Sequence, residues 1–206
     1  MINCMVLAAG ESTRFPGNKL LFEIKSNVTI LDNLITSILN SKVDRTTIVT
    51  GFEASKIRPR IQALNDGSIS VVFNPNFKQG GMSSSIRKGL KEILADSTLK
   101  TDAVIITPAD IPFIPSKVFD QLIDRFQSNL PKIIIPTFQK KKGHPILISS
   151  ALFLQITGIS EERRGLKEII QRFRDEIIFL ETDAPGILQD IDTYDDIRML
   201  NSNINK

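Results

Sequence analysis

Met5-Val-Leu-Ala-Ala-Gly-Glu-Ser-Thr-Arg-Phe-Pro-Gly-Asn-Lys19-Leu-Leu21 decides how the chain reads. An apolar run from Cys4 to Ala9 has the composition of a buried strand. It stops at Gly10 and gives way to a small polar loop carrying two cations, Arg14 and Lys19. A strand that breaks into a Gly/Ser/Thr loop sets backbone N–H groups at the carboxyl edge of a sheet, where open α/β sheets bind ligands. The N–H groups form an anion-binding nest and the cations neutralise charge, which suits a triphosphate. Two commoner phosphate loops are excluded. Gly10 and Gly17 are too far apart for a P-loop and no Ser or Thr follows Lys19, while G-x-G-x-x-G is absent. On residue types alone, an ordinary strand–helix turn with a solvated Arg and Lys fits equally well.

The 206 residues are 41% hydrophobic and 24% charged, enough to bury the core of one domain. Lys and Arg number 26 against 23 Asp and Glu, a net charge of +3. That excess is small and dispersed, and aromatics are 6% of the chain, so no nucleic acid partner is expected. A mildly basic surface is compatible with a small anionic substrate. Cys4, the only cysteine, reads as a core thiol, and one cysteine builds neither a disulfide nor a thiolate metal site. No charged leader with a long apolar stretch opens the chain, and no apolar run approaches the ~20 residues that cross a bilayer. A cytoplasmic protein without membrane contact is expected.

Strand and helix patterns alternate. Ile30, Leu31, Leu34, Ile35, Ile38 and Leu39 repeat at helical spacing, with Thr29 and Asp32 spaced as a capping box. Thr46 to Phe52 reads as a strand, followed by a short helical region that Pro59 can interrupt. Ile69 to Phe73 is a third strand, and Ile86, Leu90, Ile93 and Leu94 mark a helix. Ala103 to Thr107 is the most apolar short run and reads as a central strand. Val118, Leu122, Ile123 and Phe126 mark the next helix. Lys132 to Phe138 and Pro145 to Ser149 read as two strands of a hairpin, which implies one antiparallel strand. Gly165 to Phe173 and Glu176 to Leu180 supply another helix and strand. The alternation predicts an α/β domain over residues 1–200, its mostly parallel sheet covered by helices on both faces, with a polar, frayed tail at 201–206.

Three later segments carry chemistry. Gly80-Gly81-Met82-Ser83-Ser84 opens a helix with small hydroxyl residues, which cap it and present free N–H groups to an anion or a ribose. In isolation a plain cap is the better reading. Asp110 stands between Pro108 and Pro112 just beyond the central strand, so its carboxylate falls at the ligand edge, although a Pro-rich turn also favours Asp. In Gln189-Asp190-Ile191-Asp192-Thr193, the period of two puts Asp190 and Asp192 on one side of an extended segment. Thr193 and Asp196 have capping-box spacing, so helix capping alone would account for one of the carboxylates. His144 follows Gly143 and is the only histidine, which excludes an all-histidine metal site. Lys140, Lys141 and Lys142 before it suit a solvated hairpin tip.

The opening stretch resembles the L-A-A-G-x-S-x-R-M-G-x-x-K signature of nucleotidyltransferases, specifically the molybdenum cofactor cytidylyltransferase group. These are relatives of the molybdopterin-guanine dinucleotide synthases and the sugar-phosphate nucleotidyltransferases. Gly81-Met82-Ser83-Ser84-Ser85-Ile86 resembles G-M-x-S-S-I, Ala109-Asp110-Ile111-Pro112 resembles G-D-x-P, and Gly143-His144-Pro145 resembles G-H-P. Asp190-Ile191-Asp192-Thr193 resembles the start of D-I-D-T-P-E-D, so the likeness covers nearly the whole chain. Phe15-Pro16 departs from the usual Met-Gly, and Pro16 offers one N–H fewer; Tyr194 stands where Pro is usual. Glu161-Glu162-Arg163-Arg164 replaces a more acidic, glycine-rich stretch, and no role follows for it.

The resemblance implies the nucleotide-diphospho-sugar transferase fold, a single Rossmann-like domain. It implies transfer of a nucleoside monophosphate to an anionic phosphorylated acceptor such as molybdopterin, with pyrophosphate released. The L-A-A-G variant implies CTP rather than GTP. Leu7, Ala8, Ala9, Gly10 and Ser12 would fix the triphosphate, Arg14 and Lys19 the departing pyrophosphate, and Gly81, Met82, Ser83 and Ser84 the base and ribose. Mg²⁺ would sit on Asp110 and Asp192, with Asp190 as the second choice for the latter. Gly143 and His144 would lie on the acceptor side, and a transient contact with a molybdoenzyme is implied. A non-catalytic accessory that binds the cofactor for a molybdoenzyme, or a transferase acting on a sugar or alcohol phosphate, would share much of this pattern.

Overall fold

The computed structural model describes residues 1–198, so the tail expected at 201–206 lies outside them. In chain order the elements are β1 (Ile2–Ala8), β2 (Glu23–Lys25), β3 (Val28–Thr29), α1 (Ile30–Leu39), β4 (Arg45–Thr50), α2 (Ala54–Gln62), β5 (Ile69–Phe73) and α3 (Phe77–Ile93). They continue with β6 (Ala103–Pro108), α4 (Ser116–Asn129), β7 (Ile133–Phe138), β8 (Lys141–Lys142), β9 (Ile146–Ser149), α5 (Phe153–Thr157), α6 (Leu166–Arg172) and β10 (Ile177–Glu181). The main sheet has the order β10-β7-β9-β6-β1-β4-β5, with β8 paired on β7. Among the described residues of this sheet, apart from the two-residue β8, β9 alone runs antiparallel to its neighbours, β6 and β7. The mostly parallel sheet with one reversed strand is therefore as the sequence predicts.

β1 shows how the sheet divides the core. Ile2, Cys4, Val6 and Ala8 face a layer that includes Ile30, Leu34 and Ile38 of α1 and Phe119 and Leu122 of α4. Met5 faces the opposite layer, with Ile86 and Leu90 of α3 and Ile156 of α5. This is the period of two in a strand buried on both sides. Cys4 is fully buried and free, and burial pushes its thiol pKa far up, so it is an inert core group. None of the described helices is long and apolar enough to cross a membrane.

Local sequence explains most boundaries. Thr29 and Asp32 make the expected capping box on α1, each side chain bonded to the other's backbone N–H. Pro59 does not end α2, which runs through it because Ile57 and Ile61 on either side are buried against the sheet. The span of α3 is two helical pieces, a short turn from Phe77 to the glycine pair and a longer helix after it. Its course is broken at Gly81 (φ 52, ψ −152), a conformation that only glycine adopts without strain. The glycine–serine stretch thus opens the longer of the two helical pieces, as the sequence predicts, with Gly81 as the break from the short turn before it.

Candidate active site

Three connections bring distant segments to one sheet edge. β1 is parallel to both β4 and β6, so the ends of these strands lie together. The Ala109 N–H donates to the Leu7 carbonyl at 3.0 Å and fixes the turn after β6 against β1. The Ile191 N–H donates to the Asp110 carbonyl at 2.9 Å, which brings the 189–192 segment beside that turn. β9 runs the opposite way, so its beginning and not its end faces this edge, and Gly143 and His144 arrive there.

Lys19 is the centre of the arrangement. Its N–H donates to Ser12 Oγ at 3.2 Å, and the Asn18 side chain accepts from the Leu20 N–H at 3.0 Å, so the loop turns the lysine inward. The ammonium donates to Asp110 Oδ2 at 2.9 Å and Asp192 Oδ1 at 3.1 Å. Arg14 donates to the other oxygen of Asp192 at 2.8 Å, from an exposed position. Burial works against ionisation of Asp192, but the hydrogen bonds and charges of Lys19 and Arg14 outweigh it and hold the carboxyl below the usual range. A cavity of about 190 Å³ lies here, lined by Ala8, Gly10, Ser12, Lys19, Asp110 and Asp192.

A second cavity, about 270 Å³, shares Leu7, Gly10 and Asp110 and extends past Ala9, Met82 and Ser85. The kink at Gly81 borders it. Met82 is exposed, but its serine neighbours are committed elsewhere. The Ser83 N–H donates to Glu161 Oε1 at 2.6 Å, so this amide is not free for an anion. Ser84 Oγ donates to the carbonyls of Asn76 and Gly81 and accepts from Asn74 Nδ2, a buried network that fixes the kink. The Ser83 hydroxyl is buried without a partner. Of the N–H groups expected to be free at this turn, that of Ser83 is therefore occupied.

His144 stands where β9 begins, its N–H bonded to the Ile187 carbonyl at 3.0 Å. Burial lowers its pKa, while the charges of Asp110 and Asp190 and a bond to the Ile106 backbone act in the opposite direction. Asp190 is exposed and makes none of the ion pairs above. Among the described residues no three His, Cys, Asp or Glu side chains gather as a metal cage. Asp110 and Asp192 nonetheless each present an oxygen to one shared cation, the Lys19 ammonium. An all-oxygen pair of this kind suits a hard divalent ion that takes its remaining ligands from water and phosphate.

Three residues without a role from the sequence reach the site: Glu161 holds the Ser83 N–H, Ser85 lines the second cavity, and the ring of Phe22 packs edge-on to Phe15 at 5.4 Å. Glu161 carried one usable signal, an acid in a stretch without apolar periodicity, but nothing that named Ser83 as its partner.

Residues 4–177 match the family described as the MobA-like NTP transferase domain. The chain belongs to this family. Lys19, Asp110 and His144 lie inside the matched stretch and Asp192 beyond it. Among solved structures, the fold is similar to Rv0371c from Mycobacterium tuberculosis H37Rv, with a TM-score of 0.77, 22% identity and 98% of each chain covered. The same protein has also been solved in complex with manganese, where the TM-score is 0.69, the identity 22% and 97% of each chain is covered. It is similar as well to a cytidylyltransferase from Leptospira borgpetersenii, with a TM-score of 0.73, 22% identity, and 99% of this chain and 86% of that one covered. At these identities the likeness shows the fold. Among curated proteins, the chain is 22% identical over 175 residues to the bifunctional protein GlmU of Francisella tularensis, matching 82% of this chain and 36% of GlmU. The MobA-like domain thus spans about a third of the length of the curated relatives it matches.

Proposed function

We propose that the chain is a nucleotidyltransferase, one transferase domain over residues 1–200, that moves a nucleoside monophosphate from a triphosphate to a phosphorylated acceptor. The observation that carries this reading is the meeting of Lys19, Asp110 and Asp192 at the carboxyl edge of β1 and β6, beside the Gly10–Ser12 loop. An oxygen of the acceptor phosphate attacks the α-phosphorus, and the bond from that phosphorus to the α,β-bridging oxygen breaks, so that pyrophosphate leaves with this oxygen. Both reactants are anions, so positioning and charge neutralisation dominate over proton transfer.

Leu7 to Ser12 and the kink at Gly81 bound the nucleotide. Arg14 and Lys19 turn from Asp192 to the departing pyrophosphate, which offers them more negative charge than one carboxylate. His144, whose pKa burial lowers, stays neutral at pH 7 and adds no charge on the acceptor side. Asp110 and Asp192 would hold Mg²⁺, which neutralises phosphate charge when bound; the manganese complex of Rv0371c supports use of a divalent ion. CTP is favoured by the cytidylyltransferase likeness and by Ala9, whose methyl group lines the cavity beyond the loop. Within the family, molybdopterin is the acceptor that the sequence motifs favour.

The test is a pyrophosphate-release screen of CTP, GTP, ATP and UTP with Mg²⁺ against molybdopterin and a panel of sugar and alcohol phosphates. Release that depends on both CTP and an acceptor is expected. Nucleotide binding without release under every pairing would instead indicate a non-catalytic accessory.

A further inference from the structure

Two of the departures from the family signature touch each other. The ring of Phe15, in place of Met, lies 6.4 Å from that of Tyr194, in place of Pro, tilted by 59°. Phe22 stands edge-on to both, at 5.4 Å and 5.7 Å. Phe15 is buried in the same core as Leu20 and Ile191, so the rings join the loop of Arg14 and Lys19 to the segment of Asp192. Tyr194 follows Thr193, whose hydroxyl caps Asp196, and so occupies the first helical position. Proline fits that position at no hydrogen-bonding cost. The ring therefore replaces a residue that already suited the backbone, and its use lies in what it touches. The other ties between these loops are ionic, Arg14 to Asp192 at 2.8 Å and Lys19 to Asp192 at 3.1 Å. Under the proposed function, substrate phosphates take both cations away from Asp192.

We infer that Phe15, Phe22 and Tyr194 are positioning residues that hold the cationic loop in register with Asp192 while the ion pairs between them are given up to substrate. The timing in this inference rests on the functional reading, whereas the contact does not. Tyr194 is the only tyrosine and the chain has no tryptophan, so intrinsic fluorescence reports this one ring.

The first arm measures acrylamide quenching of Tyr194 in the full chain without ligand. Asp192→Asn, which weakens both ion pairs, should quench like the wild type, and Phe15→Met should quench about twofold more strongly. Quenching of Asp192→Asn that rises to the level of the urea-unfolded chain would overturn the inference. The second arm measures affinity for inorganic pyrophosphate with Mg²⁺. Tyr194→Phe should bind as the wild type does, and Tyr194→Pro about two- to twelvefold more weakly, the range of an aromatic contact. The Phe15→Met/Tyr194→Pro double variant should lose little more than the worse single one, because both changes break the same contact. A triad that merely stabilised the fold would lower the unfolding midpoint and leave affinity of the folded protein unchanged. Multiplicative losses, or equal binding by Tyr194→Pro and wild type, would likewise overturn it. If wild type binds neither pyrophosphate nor any nucleoside triphosphate, the functional reading falls, and the quenching arm still decides the triad.

Discussion

Replacing Lys19 by Met removes the cation between Asp110 and Asp192 while keeping a stem of similar reach. Losing one partner of a fully buried ion pair costs about 3–5 kcal/mol, and of an exposed pair about 0–1 kcal/mol. The side chains here are 11% exposed for Lys19, 28% for Asp110 and 34% for Asp192. Water therefore screens the carboxylates but hardly reaches the ammonium, and a loss of about 2 kcal/mol lies between the two limits. For a chain of this size that lowers the unfolding midpoint by about 4–8 °C. The sign of the pH dependence follows from Asp192. Its folded pKa is depressed from 3.8, so its contribution is present above that value and lost as pH falls through the folded pKa. The difference between wild type and Lys19→Met should then be full above about pH 5 and shrink toward pH 3. Magnesium supplies a second signature. At 10-fold excess over its dissociation constant, an ion bound between the freed carboxylates would restore about 1.4 kcal/mol to the variant. Wild type, with the ammonium in place, should gain less. The assay is thermal unfolding from pH 3 to pH 8, with MgCl₂ or NaCl at matched ionic strength. Equal midpoints for the two proteins at pH 7, or an equal rise with magnesium, would refute the reasoning.

Asp110→Asn and Asp192→Asn should each slow single-turnover pyrophosphate release by at least ~100-fold, and the double variant should lose far less than the product. Fully multiplicative losses would mean that the carboxylates do not share an ion. The sole histidine gives one imidazole signal in a proton NMR titration, and burial should put its midpoint below 6.5. The unfolded chain then takes up this proton first, so stability from His144 is lost as pH falls below about 6.5. Asp110→Asn should lower the midpoint further, and a rise would contradict the geometry. Gly81→Ala forces a side chain into φ 52 and would bring its Cβ to 2.8 Å from Glu161 Cγ. Urea unfolding should show a loss of about 1–3 kcal/mol. Adding Glu161→Ala should recover only part of it, since the backbone strain remains.

Much of the fold was legible because its signals are local. The Thr29–Asp32 box, the bounds of β5 and the reversal at β9 follow from neighbouring residues, and each stands as read. The glycine pair marks the start of the long part of α3 as read, and the short turn from Phe77 before it carries no signal of its own. Pro59 misled, since burial of Ile57 and Ile61 outweighs a lost hydrogen bond. At the site, residue types marked Lys19 and Asp110 as candidates against an ordinary turn, and the family resemblance put Asp192 ahead of Asp190. That one ammonium sits between both carboxylates depends on the Ile191–Asp110 backbone bond, which has no counterpart in composition or spacing. The pairing of Glu161 with Ser83 was hidden for the same reason, because the two lie 78 positions apart.

The 173 positions between Lys19 and Asp192 have a consequence during synthesis. A ribosome adding about 5–20 residues per second takes about 10–35 s to cover that distance. The last described strand of the sheet ends at Glu181, so every described strand is made before the second carboxylate exists. Ile187 and Ile191, which share a core with Phe15 and Leu20, are made in the same stretch as Asp192. The translated order thus couples two late events, closure of that core and completion of the ion pairs on Lys19.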